Sequence, residues 1–257
     1  MNPLELFALK GKVAVVLGGT SGIGQAIARG YAGAGATTVV SSRDAAKVNA
    51  MADEIEKLGS KTLRLTSDVQ NRDSLDTLCQ EVVLAFGQVD ILVVTSGTLK
   101  KAPTADYPEE DWMRIIDINL NGTFRANQIF GRQMIKQQSG CIINTCSLTS
   151  FVSFSEVAPY CASKAGVLML TEALASEWAK HNIRVNAIAP GVFRTPLNAA
   201  VLDIPERSAA LAARTPMGRT GRVEELVGAA IFLASQASSF VTGETIAVDG
   251  GFLARGI

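Results

Sequence analysis

Apolar, β-branched runs and helical patterns alternate along the whole 257-residue chain, and that alternation limits the folds open to it. Val13-Ala14-Val15-Val16-Leu17 is short, continuous and apolar, as a strand buried on both faces must be. Similar runs fall at 37–42, 61–67, 89–94, 141–146, 183–189 and 245–248. Helical patterns lie between them at 23–34, 44–58, 74–86, 109–136, 158–180 and 223–234, with Asp44 placed to cap the second. Parallel neighbours need helical crossovers, so the pattern predicts an α/β fold. The expected sheet is parallel, seven-stranded and doubly wound, with helices on both faces. No linker, repeat or low-complexity stretch interrupts it, and residues 1–257 read as a single domain.

Composition narrows the function. Lys+Arg and Asp+Glu number 24 each, which argues against a nucleic-acid partner. No apolar run reaches the ~18 residues of a membrane span. The opening MNPLELFALKGK lacks the pattern of a signal peptide, so a cytoplasmic protein with no membrane partner is expected. Cys79, Cys141, Cys146 and Cys161 form no Cys-x-x-Cys pair and read as reduced structural thiols. His181, the single histidine, excludes a two-His zinc site, and no metal is expected. It reads as a helix C-terminal residue. A Ser-His-Asp triad would have to use it, in a chain with no Gly-x-Ser-x-Gly elbow.

Between the first strand and the first helix stands Gly18-Gly19-Thr20-Ser21-Gly22-Ile23-Gly24. Gly18 suits the tight turn, Gly22 lets backbone approach a pyrophosphate at the helix N-terminus, and Gly24 lets helix and strand pack closely. Thr20, Ser21 and Ile23 complete the cofactor loop. No Lys-Ser/Thr follows the glycines, so a P-loop is excluded. An NAD site usually carries an acidic residue about 20 positions further on. Here Ser42 and Arg43 occupy that place, and a guanidinium suits the 2′-phosphate of NADP. Asp44 would favour NAD only if it turned back to the ribose. NADP is therefore the expected cofactor, in preference to NAD.

Tyr160-Cys161-Ala162-Ser163-Lys164 opens the long helix after the fifth apolar strand, and the i,i+4 spacing puts Tyr160 and Lys164 on one face. A neighbouring ammonium stabilises phenolate and is expected to lower the tyrosine pKa from ~10. Such a pair suits proton transfer to a substrate oxygen beside a nicotinamide. Ser147 ends the preceding strand, at the carboxyl edge where ligands bind in these sheets.

On these motifs the chain resembles the short-chain dehydrogenase/reductase family, a Rossmann fold, over nearly its whole length. Gly18, Gly22 and Gly24 match the family's glycine motif. Asn119, Ser147, Tyr160 and Lys164 match its catalytic tetrad. The resemblance implies that Tyr160 is the acid/base and that Ser147 hydrogen-bonds the substrate oxygen. It further implies that Lys164 holds the ribose and Asn119 anchors a water in a proton relay. Asp68 and Val69 match the adenine contact, and Pro190, Gly191, Val192 and Thr195 the segment that receives the nicotinamide carboxamide. Two places depart from the pattern. Leu17 stands for the usual Thr, and Val94-Thr95-Ser96-Gly97 for Asn-Asn-Ala-Gly, leaving backbone groups of Ser96 and Gly97 as cofactor contacts.

Both chain ends, Leu6 to Val13 and Val248 to Ile257, are similar to those of gluconate 5-dehydrogenases and related sugar-acid members. A secondary alcohol–ketone conversion on a sugar or sugar acid is expected, with 3-oxoacyl thioester reduction as the alternative. A non-catalytic NADP-binding redox sensor is an alternative of another class. It needs the glycine loop but no tetrad. A serine hydrolase built on Ser147 lacks a base nearby in sequence. Residues 190–221 form the expected substrate lid, with Arg194, Arg207, Arg214 and Arg219 against Asp203 and Glu206. The charges read foremost as a solvated surface. The patterns at 109–136 and 158–180 carry large apolar residues on more than one side, Trp112, Phe124, Phe130, Leu168 and Leu170 among them. A homo-oligomer, and specifically a homotetramer, is expected.

Overall fold

The computed structural model describes residues 2–254, the side chain of Val201 apart. Met1 and the end residues Arg255, Gly256 and Ile257, part of the chain-end resemblance, lie outside the described residues. In chain order the elements are β1 (Val13–Leu17), α1 (Gly22–Gly33), β2 (Thr37–Ser41), α2 (Ala45–Lys57), α3 (Arg72–Phe86), β3 (Ile91–Val94), α4 (Glu109–Ile116) and α5 (Gly122–Gln137). There follow β4 (Gly140–Thr145), α6 (Ala158–Trp178), β5 (Ile183–Pro190), α7 (Ala199–Leu202), α8 (Pro205–Arg214), α9 (Val227–Ala234) and β6 (Thr245–Val248). The strands form one parallel sheet in the order β2-β1-β3-β4-β5-β6.

Alternate residues of each inner strand face opposite layers. Val15, Leu92, Ile142 and Val185 pack with Phe130 and Trp178 on one side. Val16, Val93, Ile143 and Ile188 pack with Ile27, Tyr31 and Leu233 on the other. Continuous apolar strands follow from burial on both faces. Local signals set the helix ends. The Asp44 carboxylate accepts from the Lys47 N–H at 3.1 Å and caps α2. Asn71 caps α3, which stops at Gly87 in the left-handed conformation (φ +81°).

The sheet has six strands among the described residues, so the expected seventh, at 61–67, is corrected. That segment runs extended, with Leu63 and Leu65 packed on the core while Arg64 and Thr66 face solvent. It meets β2 by backbone bonds at its two ends, Thr38 N–H to Lys61 O at 3.0 Å and Ser67 N–H to Ser42 O at 3.1 Å. Between them the Ser41 hydroxyl donates to Leu65 O at 2.7 Å. Serine hydroxyls take the place of ladder bonds, and the segment covers the edge of β2 without joining the sheet. An edge covered in this way offers no template to another chain.

The helical stretch predicted at 109–136 is also not one helix. A π-helical turn, Asp117–Asn121, separates α4 from α5. His181 lies just past the far end of α6, with its Nδ1 3.2 Å from Gln138 Nε2, distant in the chain from Tyr160 at that helix's start. All four cysteines are free.

Candidate active site

The chain leaves β1 for β2 on one side and later returns to β3 on the other. The carboxyl ends of β1 and β3 therefore flank the crevice where ligands bind in such sheets. Gly18, at φ +76°, turns the chain out of β1 in a conformation that L side chains rarely adopt. A Cβ there would stand 2.8 Å from Thr95 Oγ1 and 2.9 Å from Ser96 N. A Cβ on Gly24 would strike the Gly18 carbonyl and the Thr95 hydroxyl. The α1 cap, Ser21, makes no side-chain bond to the helix, so the first N–H groups of α1 stay open toward the cavity.

Thr95 explains the two departures from the family pattern. Its hydroxyl donates to Leu17 O at 2.7 Å, and its N–H donates to the same carbonyl at 2.9 Å. A side-chain bond thus still ties the end of β3 to the end of β1, although Leu17 has no hydroxyl to give.

One cavity is lined by Gly18, Thr20, Ser21, Gly22, Ile23, Gly24, Ser42, Arg43, Asp68, Val69, Ser96, Gly97, Ser147, Tyr160, Lys164, Pro190, Gly191 and Thr195. Val192 and Asn119 are not on its wall. Val192 lines a separate cavity beneath Met217 and Gly250. Asn119 sits fully buried just behind, where a Cβ on Gly97 would lie 3.5 Å from its Oδ1 and 4.0 Å from Lys164 Nζ.

At the β2 end the Ser42 hydroxyl is buried without a hydrogen-bond partner. Arg43 closes no ion pair among the described residues, and Asp44 is engaged with its own helix. Asp68 accepts from Gln70 N–H at 3.0 Å in a local turn. Val69 packs against Gly122, where a Cβ would come within 2.8 Å of its Cγ2.

Asn119 is held by the π-helical turn. Its Oδ1 accepts from Thr98 N–H at 2.8 Å, and its Nδ2 donates to Thr98 O at 3.0 Å and Ser163 Oγ at 3.1 Å. Both amide hydrogens are in use, so the side chain can meet a water only as an acceptor. Its backbone carbonyl accepts from the Thr123 hydroxyl at 2.7 Å.

The Ser147 hydroxyl caps the 148–150 turn, accepting from Thr149 N–H at 3.2 Å, and hydrogen-bonds the Tyr160 phenol. Lys164 is 4% exposed, donates to Thr145 O at 2.6 Å and stands 5.8 Å from the Tyr160 ring centroid. The expected lowering of the tyrosine pKa by this ammonium is corrected here. Burial pushes the Tyr160 phenol up, the Ser147 hydrogen bond draws it part of the way back, and Cys161 and Cys146 add to the rise. Burial also lowers Lys164, to about 8. The ammonium donates to the Thr145 carbonyl, and desolvation is the largest influence on both groups.

Several lining residues carry no motif that sequence reading picks out. Thr145 contributes only its carbonyl to Lys164. Asn198 takes Thr195 N–H at 2.9 Å and donates to Phe193 O at 2.8 Å, which fixes the turn after Pro190. The run Thr195-Pro196-Leu197-Asn198 has the composition of such a turn, and that was its one legible signal.

A family model described as enoyl-(acyl carrier protein) reductase matches residues 18–253. The chain is 42% identical over 253 residues to a 2-dehydro-3-deoxy-D-gluconate 5-dehydrogenase of Pseudoalteromonas atlantica, covering 98% of this chain and 100% of that one. It is 37% identical to a gluconate 5-dehydrogenase of Gluconobacter oxydans, with 98% of each covered. The crystal structure of a gluconate 5-dehydrogenase from Burkholderia cenocepacia in complex with NADP and tartrate superposes with a TM-score of 0.95 at 40% identity, covering 98% and 99% of the two chains.

Proposed function

The chain belongs to the short-chain dehydrogenase/reductase family, and from that premise we propose an NADP-dependent oxidoreductase that interconverts a secondary alcohol and a ketone on a sugar acid. The carrying observation is the meeting of Ser147, Tyr160 and Lys164 on the wall that also holds the glycine loop.

The residues present fit NADP. The open N–H groups of α1 suit a pyrophosphate. The orphaned Ser42 hydroxyl and the unpaired Arg43 guanidinium suit a 2′-phosphate. Asp68 and Val69 would flank the adenine, with Ser96 and Gly97 offering backbone groups. Pro190, Gly191 and Thr195, all on the cavity wall, would receive the carboxamide end. Bound there, the cofactor supplies or takes up the hydride. Tyr160 holds the proton that goes to the substrate oxygen, and burial keeps the phenol protonated at neutral pH. Ser147 is bonded to that phenol and orients the same oxygen. Lys164 keeps a positive charge beneath the pair, fixed by Thr145 O. Asn119 is a positioning residue that ties the 98 loop to α6 through Ser163.

A group lowered to about 8 is charged below that pH and neutral above it. Ketone reduction at saturating NADPH is therefore expected to fall as pH rises through about 8. A pH–rate profile with no break within about one unit of that value would count against a role for the Lys164 charge.

Large apolar side chains stand exposed on α4, α5 and α6, with Trp112 at 39%, Phe124 at 41% and Met169 at 61%. This supports a homotetramer built from chains that are each one domain. No helix among the described residues is long and apolar enough to cross a membrane. The direct test is NADPH oxidation with 5-keto-D-gluconate and, separately, with an acetoacetyl thioester. Turnover of the sugar acid alone is expected. Turnover of the thioester alone would move the assignment to 3-oxoacyl thioester reduction.

A further inference from the structure

Asn198 bonds to every polar group of Thr195. Its Oδ1 accepts from Thr195 N–H at 2.9 Å and from the Thr195 hydroxyl at 3.1 Å. Its own N–H donates to Thr195 O at 3.1 Å, and its Nδ2 donates to Phe193 O at 2.8 Å. A backbone N–H only donates and a carbonyl only accepts, so these partners fix which way round the amide lies. The hydroxyl contact then has one possible sense. Oδ1 has no hydrogen to give, so the Thr195 hydroxyl spends its single hydrogen there. Toward the cavity that hydroxyl offers lone pairs.

Both residues are on the cavity wall. Thr195 stands over the first residue of α1, where a Cβ on Gly22 would lie 3.3 Å from the Thr195 Cβ and Cγ2. Pro190 and Gly191 line the same wall. A dinucleotide in this crevice brings two kinds of group to such a place. Pyrophosphate oxygens need donors, and the open N–H groups of α1 are donors. A carboxamide NH2 needs an acceptor. A hydroxyl whose hydrogen is already spent cannot serve a phosphate oxygen and does suit an N–H.

We propose that Asn198 is a positioning residue for the nicotinamide end of the cofactor. It takes up the Thr195 hydroxyl hydrogen, so that Thr195 accepts from the carboxamide NH2 and makes no bond to the pyrophosphate. The proposal rests on the NADP reading and divides the work within one turn. Thr195 touches the cofactor, and Asn198 acts through Thr195.

The test reads binding rather than turnover. Calorimetric titration gives Kd for NADP, for its 3-acetylpyridine analogue and for 2′-phospho-ADP-ribose. The analogue carries a methyl in place of the carboxamide NH2, and the third ligand has no nicotinamide. The wild type is expected to hold NADP about fivefold more tightly than the analogue, as one neutral hydrogen bond allows. Thr195→Val brings that ratio to about one, and Asn198→Ala, which frees the hydroxyl to rotate, to about two. The double variant matches Thr195→Val alone, because the two residues act as one unit. Asn198→Asp keeps an acceptor for both Thr195 bonds and restores the ratio. The uncharged variants bind 2′-phospho-ADP-ribose within about twofold of wild type. A wild-type ratio near one, or an unchanged ratio in Asn198→Ala, overturns the proposal. So does equal weakening of all three ligands in Asn198→Ala, which would leave Asn198 shaping the turn alone. Weaker binding of 2′-phospho-ADP-ribose by Thr195→Val would put the hydroxyl on the pyrophosphate and overturns it as well. Each of these outcomes leaves the NADP reading in place, whereas a wild type that binds none of the three ligands removes both.

Discussion

Tyr160→Phe is expected to lower turnover by about a thousandfold or more while NADPH binding survives. The substitution removes one oxygen and its proton and leaves the ring in its place. General acid–base groups contribute about 10²- to 10⁴-fold, and the single His181 is bonded to Gln138, beyond the far end of α6. No other side chain at the Ser147 hydroxyl can replace the phenol. Steady-state turnover, paired with fluorescence titration of NADPH, separates the two effects. Turnover within about tenfold of wild type would remove Tyr160 from the mechanism. Equal loss of cofactor binding would make the residue structural.

Arg43→Ala is expected to cut the preference for NADPH over NADH by about 30-fold, mostly through KM for NADPH. The guanidinium has no carboxylate partner among the described residues, so its removal strands no other charge, and the fold should be unaffected. Asp44 stays where it is, because its carboxylate caps α2 at Lys47 N–H. NADH turnover should therefore change little. The ratio of kcat/KM values for the two cofactors is the measurement. A ratio within about twofold of wild type would show that the 2′-phosphate is recognised elsewhere.

The parts of this molecule that were legible in the sequence are those fixed by local sterics and periodicity. A glycine that must turn at φ +76° beneath Thr95 is visible as a glycine between an apolar strand and a helix. Asp44 is visible as a cap because the bond it makes is only three residues long. The rest depends on what lies across space. Residues 61–67 alternate like a strand, and nothing in them reveals that Ser41 will hold Leu65 O by its side chain. Tyr160 and Lys164 are four residues apart, which suggests mutual influence. The outcome was decided by burial and by the Thr145 carbonyl, and neither can be read from spacing. Glu156 is an ordinary acidic residue in the sequence, and its left-handed backbone appears only in the fold.

The π-helical turn at Asp117–Asn121 does more than hold one asparagine. Each residue of a helix advances its faces by about 100°. The wide turn lets Asn119 face Thr98 and Ser163 while Ala126, Ile129 and Phe130, a few residues on, still reach the core beneath the sheet. It works as a phase shifter between a functional face and a packing face. Deleting a single residue there would let the wide turn close to ordinary α-helical geometry, so that α5 keeps its buried face while Asn119 is turned away from Thr98 and Ser163. Length at 117–121 should therefore be guarded more strictly than identity, and substitutions at Leu120 or Asn121 should be far better tolerated than the loss of either.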